Sequence, residues 1–288
     1  MIQDVLHARL AEYAPRHALE QENILQEVMQ EYVLASLAKA GFFSVAVFHG
    51  GTCLRLLHGM QRFSEDLDFM LKKADLDFKW NTFLEVVRRD CAAEGIAFEA
   101  LDRATAGTAV RKAFLKTDSI GSLLYFKLPF GRQRTQKLRI KLEVDTNPPA
   151  GSSAETAYLA FPRTVALAIQ TLPSGFGTKL HALLCRKYVK GRDWYDFLWY
   201  VSRKVTPDLP LLANALEQQG PWEGDRQNVT SEWLITQLEH KIKAIDWVKA
   251  QDDVQRFLPS AEQTTLTHWG TKLFLYHLRR LSDYIQKI

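Results

Sequence analysis

The sequence predicts an α/β half followed by an all-helical half, and three observations carry that expectation. Strand-like apolar runs alternate with helical-period stretches as far as "TVALAIQTL". The Pro/Gly/Ser run "NPPAGSS" is the first plausible linker. From Thr178 onward nearly every segment repeats its apolar residues at helical spacing. The expected division is residues 1–172 and residues 173–288.

The elements follow in order. "QENILQEVMQEYVLASLAKAG" sets Ile24, Leu25, Val28, Met29, Val33 and Leu37 at three- and four-residue spacing and stops at Gly41, as an amphipathic helix does. "FFSVAVF" reads as a buried strand that Gly50 and Gly51 break, Thr52 to His58 as a short helix, and "EDLDFML" as the returning strand. "DFKWNTFLEVVRRDCAAEG" is a further helix, followed by strand-like "IAFEAL", "AVRKAFL" and "SLLYFKLPF". In "QKLRIKLEVDT", Leu138, Ile140, Leu142 and Val144 share one face, with Lys137, Arg139, Lys141, Glu143 and Asp145 on the other. "TVALAIQTL" is one more apolar strand before the turn signal "PSGFG", and the chain closes on helical "TKLFLYHLRRLSDYIQKI". No repeat, heptad array or low-complexity tract interrupts this order.

Composition bounds the function. With 288 residues, 47% of them hydrophobic, the chain can bury a large core. A net charge of +4 is too small for a histone-like binder, but ten basic residues lie between Arg103 and Lys141 against one acid, Asp118. That stretch is a candidate anion-facing surface, the alternative being a solvated strand face. Cys53, Cys91 and Cys185 lack metal or disulfide spacing, which suits a reducing cytoplasm. The N-terminal stretch has no apolar core of a signal peptide, and the charge-free runs fall short of the roughly 18 to 20 residues of a membrane span.

The chemistry concentrates in "FHGGTCLRLLHGMQRFSEDLDF". A strand that ends in Gly50 and Gly51 lets the backbone approach a ligand, and the free N–H groups of the next helical turn suit phosphate. Asp66 and Asp68, two apart on a strand, share a face and can hold hard cations together. A two-metal site wants a third carboxylate, which Glu143 or Asp145 supplies. Alone, the glycines read as a turn, the DxD as solvated surface, and Glu143 and Asp145 as salt-bridge partners of Arg139 and Lys141. Further on, Lys179, Leu183 and Arg186 are neighbours at helical period, so two cations can point together at a triphosphate, or else pair with Asp193 and Asp196. His49 and His181 read as packing or hydrogen-bonding histidines.

These stretches resemble the nucleotidyltransferase superfamily, and in particular the AbiEii/AbiGii toxin family. "HGGTCLRLLHGMQRFSEDLDF" is similar to its first motif, "IKLEVD" to its second and "GTKLHALLCRKYVKGRDWYDFLWYV" to its third. The resemblance implies a nucleotidyltransferase fold of α/β (α+β) class, a mixed sheet with flanking helices, joined to a helical C-terminal region. It assigns Asp66, Asp68, Glu143, Asp145, Lys179 and Asp193 to catalysis, with Asp66, Asp68 and Glu143 on Mg²⁺ or Mn²⁺. It assigns Gly50, Gly51, Thr52, Arg55, Ser64, Lys141, Arg186, Arg192 and Asp196 to the nucleoside triphosphate. The implied activity moves a nucleoside monophosphate to a hydroxyl acceptor such as tRNA, in a toxin that a cognate antitoxin protein neutralises. Glu143 stands where many members carry Asp, which leaves Glu143 and Asp145 as alternatives. A non-catalytic nucleotide-binding module and an antibiotic-modifying enzyme are the other readings.

Overall fold

The structure is a computed structural model that describes residues 8–9, 11–13, 15–96, 98–102, 110–117 and 138–286. The expected strand "SLLYFKLPF" lies outside the described residues, as do Arg103, Lys127, Arg132, Arg134 and Lys137 of the basic stretch. The chain divides into two compact units, Met1–Pro148 with Glu155–Ile169, and Pro149–Ala154 with Gln170–Ile288.

After helical residues 8–9 and 11–13, the first unit forms helix α1, Ala18–Lys39, capped by the His17 side chain and ended by Gly41 in the left-handed region at φ 77°. The expected strand "FFSVAVF" is shorter than its apolar run. Phe42–Ser44 form a 3-10 turn and only Ala46–His49 is strand β1. The reason is packing: neighbours on a strand face opposite ways, whereas Phe42 and Phe43 both meet Phe69, at centroid distances of 4.9 and 6.2 Å. Phe42 also stacks on the fully buried Trp80 at 5.3 Å, anchoring an aromatic core. Helix α2 begins at Gly50 rather than Thr52 and runs to His58, followed by β2, Asp66–Leu71. Helix α3, Asn81–Ala93, then precedes β3, Glu99–Asp102, β4, Val110–Thr117, and β5, Leu138–Asp145.

Two more strands, β6, Ala154–Leu159, and β7, Val165–Gln170, complete a seven-stranded sheet in the order β3-β4-β5-β2-β1-β7-β6. It is mixed: β2 runs parallel to β5 and β1 to β7, while β1–β2, β3–β4 and β4–β5 are antiparallel. Strand β6 is absent from the sequence reading because it is mostly exposed, without the apolar alternation that marks a half-buried strand.

The second unit is helical. "PSGFG" is no turn but the first two turns of α4, Leu172–Cys185, where Pro173 needs no N–H donor. Its glycines serve close packing, since a Cβ on Gly175 would sit 2.7 Å from the Tyr200 hydroxyl and one on Gly177 2.8 Å from the Asp208 carbonyl. "NPPAGSS" is likewise no free linker, because Asn214 donates to the Ala150 carbonyl at 2.8 Å and Ser153 N–H to Ser174 Oγ at 3.0 Å. The remaining helices are α5, Gly191–Ser202, α6, Leu209–Gln218, α7, Ser231–Ala244, α8, Trp247–Gln255, α9, Ser260–Gln263, and α10, Thr271–Ile285. Their core centres on the fully buried Phe274, stacked on Trp247 at 4.0 Å and edge-on to Trp194 at 5.5 Å and Trp269 at 5.2 Å. Phe274→Ala is therefore expected to cost about 3–5 kcal/mol of stability, read from the urea midpoint at unchanged slope.

Candidate active site

Helix α1 fixes where β2 begins. Gln26 and Gln30 donate side-chain N–H groups to the Glu65 carbonyl at 3.2 and 2.8 Å, and Gln30 also reaches the Ser64 carbonyl at 3.1 Å. Buried Thr52 on α2 donates its hydroxyl to the Asp66 carbonyl. The strand thus starts at Asp66, and strict alternation turns Asp66 and Asp68 to the half-exposed face while Leu67 and Phe69 enter the core.

Register brings the second motif alongside. Lys141 lies opposite Asp66, Glu143 opposite Asp68 and Asp145 opposite Met70 across the parallel β2–β5 pair. Across β4–β5, Lys112 lies opposite Glu143. The ammonium of Lys141 stands between two carboxylates, 3.4 Å from Asp66 Oδ2 and 3.0 Å from Glu143 Oε1, and Lys112 meets the same Glu143 oxygen at 3.1 Å. Burial disfavours the charge on Lys141, but Asp66 and then Glu143 more than offset it, so its pKa is raised. Burial likewise pushes the Glu143 carboxyl up, and Lys141 and Lys112 bring it below its ordinary value. Asp145 differs: burial raises its pKa, and its Oδ1 accepts the Asn147 N–H at 2.9 Å across the turn after β5.

The glycine pair borders this row. Gly50 has φ 79°, and a Cβ there would lie 2.6 Å from Asp68 Oδ2. A Cβ on Gly51 would strike the Arg62 guanidinium and lie 2.9 Å from Ser64 Oγ. Bare backbone at the start of α2 thus lies directly beside a carboxylate. Arg55, by contrast, is held on several sides: Glu27 at 2.6 Å, the carbonyls of Met60 and Gln61 at 3.2 and 2.5 Å, and the Phe63 ring at 4.3 Å. It ties the α2–β2 connection to α1.

Among the described residues no three His, Cys, Asp or Glu side chains are gathered closely enough to hold a metal ion as they stand. The donor set nevertheless suits a hard divalent cation: Asp66, Asp68 and Glu143 offer carboxylate oxygens from adjacent strands, and the Lys141 ammonium already provides positive charge among them.

In the second unit, the expected helical row of Lys179, Leu183 and Arg186 does not form, because α4 ends at Cys185 and Arg186 is extended at φ −67°, ψ 130°. The two cations converge on the first two turns of α5 instead. Lys179 Nζ lies 2.7 Å from Asp193 Oδ1 and 2.8 Å from Asp196 Oδ2, and Arg186 Nε 3.1 Å from Asp193 Oδ2. Arg192 is tied to α8, its N–H donating to Asp253 Oδ2 at 3.2 Å and its guanidinium lying 4.2 Å from the Phe257 ring centre.

Burial alone would raise the Asp193 carboxyl, but Lys179, then Lys190 and Arg186, pull it down to about 2. A folded pKa below the unfolded one gives stability that is present above about pH 4 and lost as pH falls towards about 2, worth roughly 2–3 kcal/mol. Asp193→Asn is expected to remove that component. Urea unfolding at pH 5 and at pH 2 should show a smaller loss in the variant than in the parent by roughly 2 kcal/mol.

Comparison with known proteins decides the family. A family model described as "Nucleotidyl transferase AbiEii toxin, Type IV TA system" matches residues 32–273. The chain belongs to this family. This AbiEii-family chain also superposes on the crystal structure of JHP933 from Helicobacter pylori with a TM-score of 0.51, at 17% identity over 92% of each chain, a likeness of fold. A second H. pylori structure, of a candidate nucleotidyltransferase, gives 0.48 at 17% identity over 90% of this chain and 92% of its own. No curated protein matches the sequence. The three stretches that resemble AbiEii motifs fall on the elements just described, and two residues outside the expected set stand beside them. Lys112 pairs with Glu143, and His49 stands opposite Asp68 across β1–β2. Lys112 was legible only as one cation of a basic run, and no spacing marked it as a neighbour of Glu143.

Proposed function

We propose that this nucleotidyltransferase toxin moves a nucleoside monophosphate from a nucleoside triphosphate to a hydroxyl of an RNA acceptor such as tRNA, releasing pyrophosphate. The observation that carries the proposal is the row Asp66, Asp68 and Glu143 on one face of β2 and β5, with the bare backbone of Gly50 against Asp68. In this reading Asp66, Asp68 and Glu143 hold Mg²⁺ or Mn²⁺, which supplies charge neutralisation on the triphosphate and acidifies the acceptor hydroxyl. The N–H groups at the start of α2 and the Ser64 hydroxyl beside Gly51 receive phosphate oxygens, to which the positive end of the helix contributes. Lys141 holds Asp66 and Glu143 in place and offers a cation to the triphosphate. Asp145 steadies the end of β5. Thr52 and Arg55 shape the pocket by fixing α2, rather than by touching nucleotide.

In the helical unit the third-motif residues Lys179, Arg186, Arg192, Asp193 and Asp196 enter the proposal by family resemblance. Their ion pairs support a positioning role. An RNA acceptor is supported by the basic stretch around β4 and β5, and a cognate antitoxin by the type IV family. No helix among the described residues is long and apolar enough to cross a membrane, and we place the protein in the cytoplasm, where triphosphates and RNA meet.

The test incubates the protein with total RNA and each triphosphate, labelled in parallel at the α- and the γ-phosphate. Label from the α position, and not from the γ position, should enter RNA. Label from the γ position entering RNA would make the enzyme a kinase, and labelling of a small molecule alone would replace the acceptor.

A further inference from the structure

The helical unit contains a cavity of about 190 Å³ where the loop between α4 and α5 faces the C-terminal end of α7. Arg186, Lys187, Tyr188, Lys190, Asp193 and Lys241 all line it. Four cationic side chains thus face one carboxylate, and that carboxylate is already engaged, Oδ1 by Lys179 at 2.7 Å and Oδ2 by Arg186 Nε at 3.1 Å. Lys187, Lys190 and Lys241 form no ion pair with another side chain among the described residues.

Asp193 is 3% exposed, and its Oδ2 and Arg186 Nε are buried atoms 3.1 Å apart, so this ion pair forms the floor of the cavity and leaves Lys187, Lys190 and Lys241 without a carboxylate partner among the described residues. Lys190 is half-buried. Burial first, and then the cations of Lys179, Arg192 and Arg186, lower its pKa against the pull of Asp193. Lys190 also precedes α5 as its N-cap without a side-chain capping bond, so the positive end of a 12-residue helix adds to the same sign. Lys187 is exposed and Lys190 and Lys241 are half-buried, and such a concentration of like charge around one cavity is relieved by an anion. A phosphate group fits within this volume. At the rim, Tyr188 is 64% exposed, and the Arg186 guanidinium lies 5.0 Å from its ring centre, leaving an aromatic surface of the kind on which nucleic-acid bases stack.

We infer that this cavity is a phosphate site for a nucleotide, with the phosphate among Lys187, Lys190 and Lys241 and the base against Tyr188. The inference rests on the proposed function only for the class of ligand, and the ligand is either a free triphosphate or the end of an RNA strand. Calorimetric titration in chelator at low salt, where no metal assists binding elsewhere, uses three probes: inorganic pyrophosphate, ATP and an eight-nucleotide single-stranded RNA.

Lys190→Gln, and separately the surface double variant Lys187→Gln/Lys241→Gln, should weaken pyrophosphate binding at least about tenfold. Lys249→Gln, on an exposed part of α8, should leave it within about twofold. Tyr188→Ala should weaken the base-bearing probes about tenfold and spare pyrophosphate. Parallel losses for ATP alone identify the free triphosphate as ligand, and for the RNA alone the strand end. Pyrophosphate affinity within twofold of the parent in both folded lysine variants, or no pyrophosphate binding by the parent, overturns the site. Unchanged binding of both base-bearing probes in Tyr188→Ala overturns its assignment to a nucleotide. The outcome is independent of turnover: variant-sensitive binding in a protein that transfers nothing keeps this site and removes the proposed reaction, and normal transfer with variant-insensitive binding does the reverse.

Discussion

Asp68→Asn is expected to lower nucleotidyl transfer by about 10²–10³-fold, or roughly 3–4 kcal/mol of transition-state stabilisation, while thermal unfolding stays close to that of the parent. Asp68 is half-exposed at the edge of the core, and the amide keeps its shape, so folding loses little. The charge is what goes. Asp66→Asn should match it, and the double variant should be little worse than either single, because residues that act as one unit are not additive. Fully multiplicative losses in single-turnover transfer would show that the two carboxylates act separately.

The second large effect separates two neighbouring acids. Glu143 faces Asp68 across the strand pair and is held by Lys141 and Lys112, whereas Asp145 faces Met70 and accepts the Asn147 N–H. Glu143→Gln is therefore expected to cost about 10²-fold or more in turnover, and Asp145→Asn less than about tenfold, with its main effect on stability. Equal losses, or the reverse ranking, would move the third ligand position to Asp145.

Much of this site was legible in the chain because strand periodicity is rigid. Once Asp66, Asp68 and Glu143 sit at alternate positions of apolar strands, their face is determined, and only the register between β2 and β5 remains to be added. That register is a long-range fact. No local pattern states that Glu143 rather than Asp145 meets Asp68, nor that Lys112 arrives from a third strand. The local misreadings have similar causes. Phe42 and Phe43 look like strand residues until both must enter one aromatic cluster, and "PSGFG" looks like a turn until its glycines are seen to make room for Tyr200 and Asp208. Arg186 continues a helical spacing from Lys179, yet the pull of Asp193 is satisfied only after the helix has ended. Strand β6 was invisible because an exposed edge strand carries little apolar signal.

In the proposed site Asp66, Asp68 and Glu143 together hold a divalent cation that serves nucleotidyl transfer. The most direct test is Mn²⁺ binding in the presence of a triphosphate, followed by electron paramagnetic resonance in the parent, Asp66→Asn/Asp68→Asn, Glu143→Gln and Asp145→Asn. Saturable binding is expected in the parent and in Asp145→Asn, weakened at least about tenfold in Glu143→Gln and in the double variant. Binding of equal strength in all four proteins would contradict this assignment.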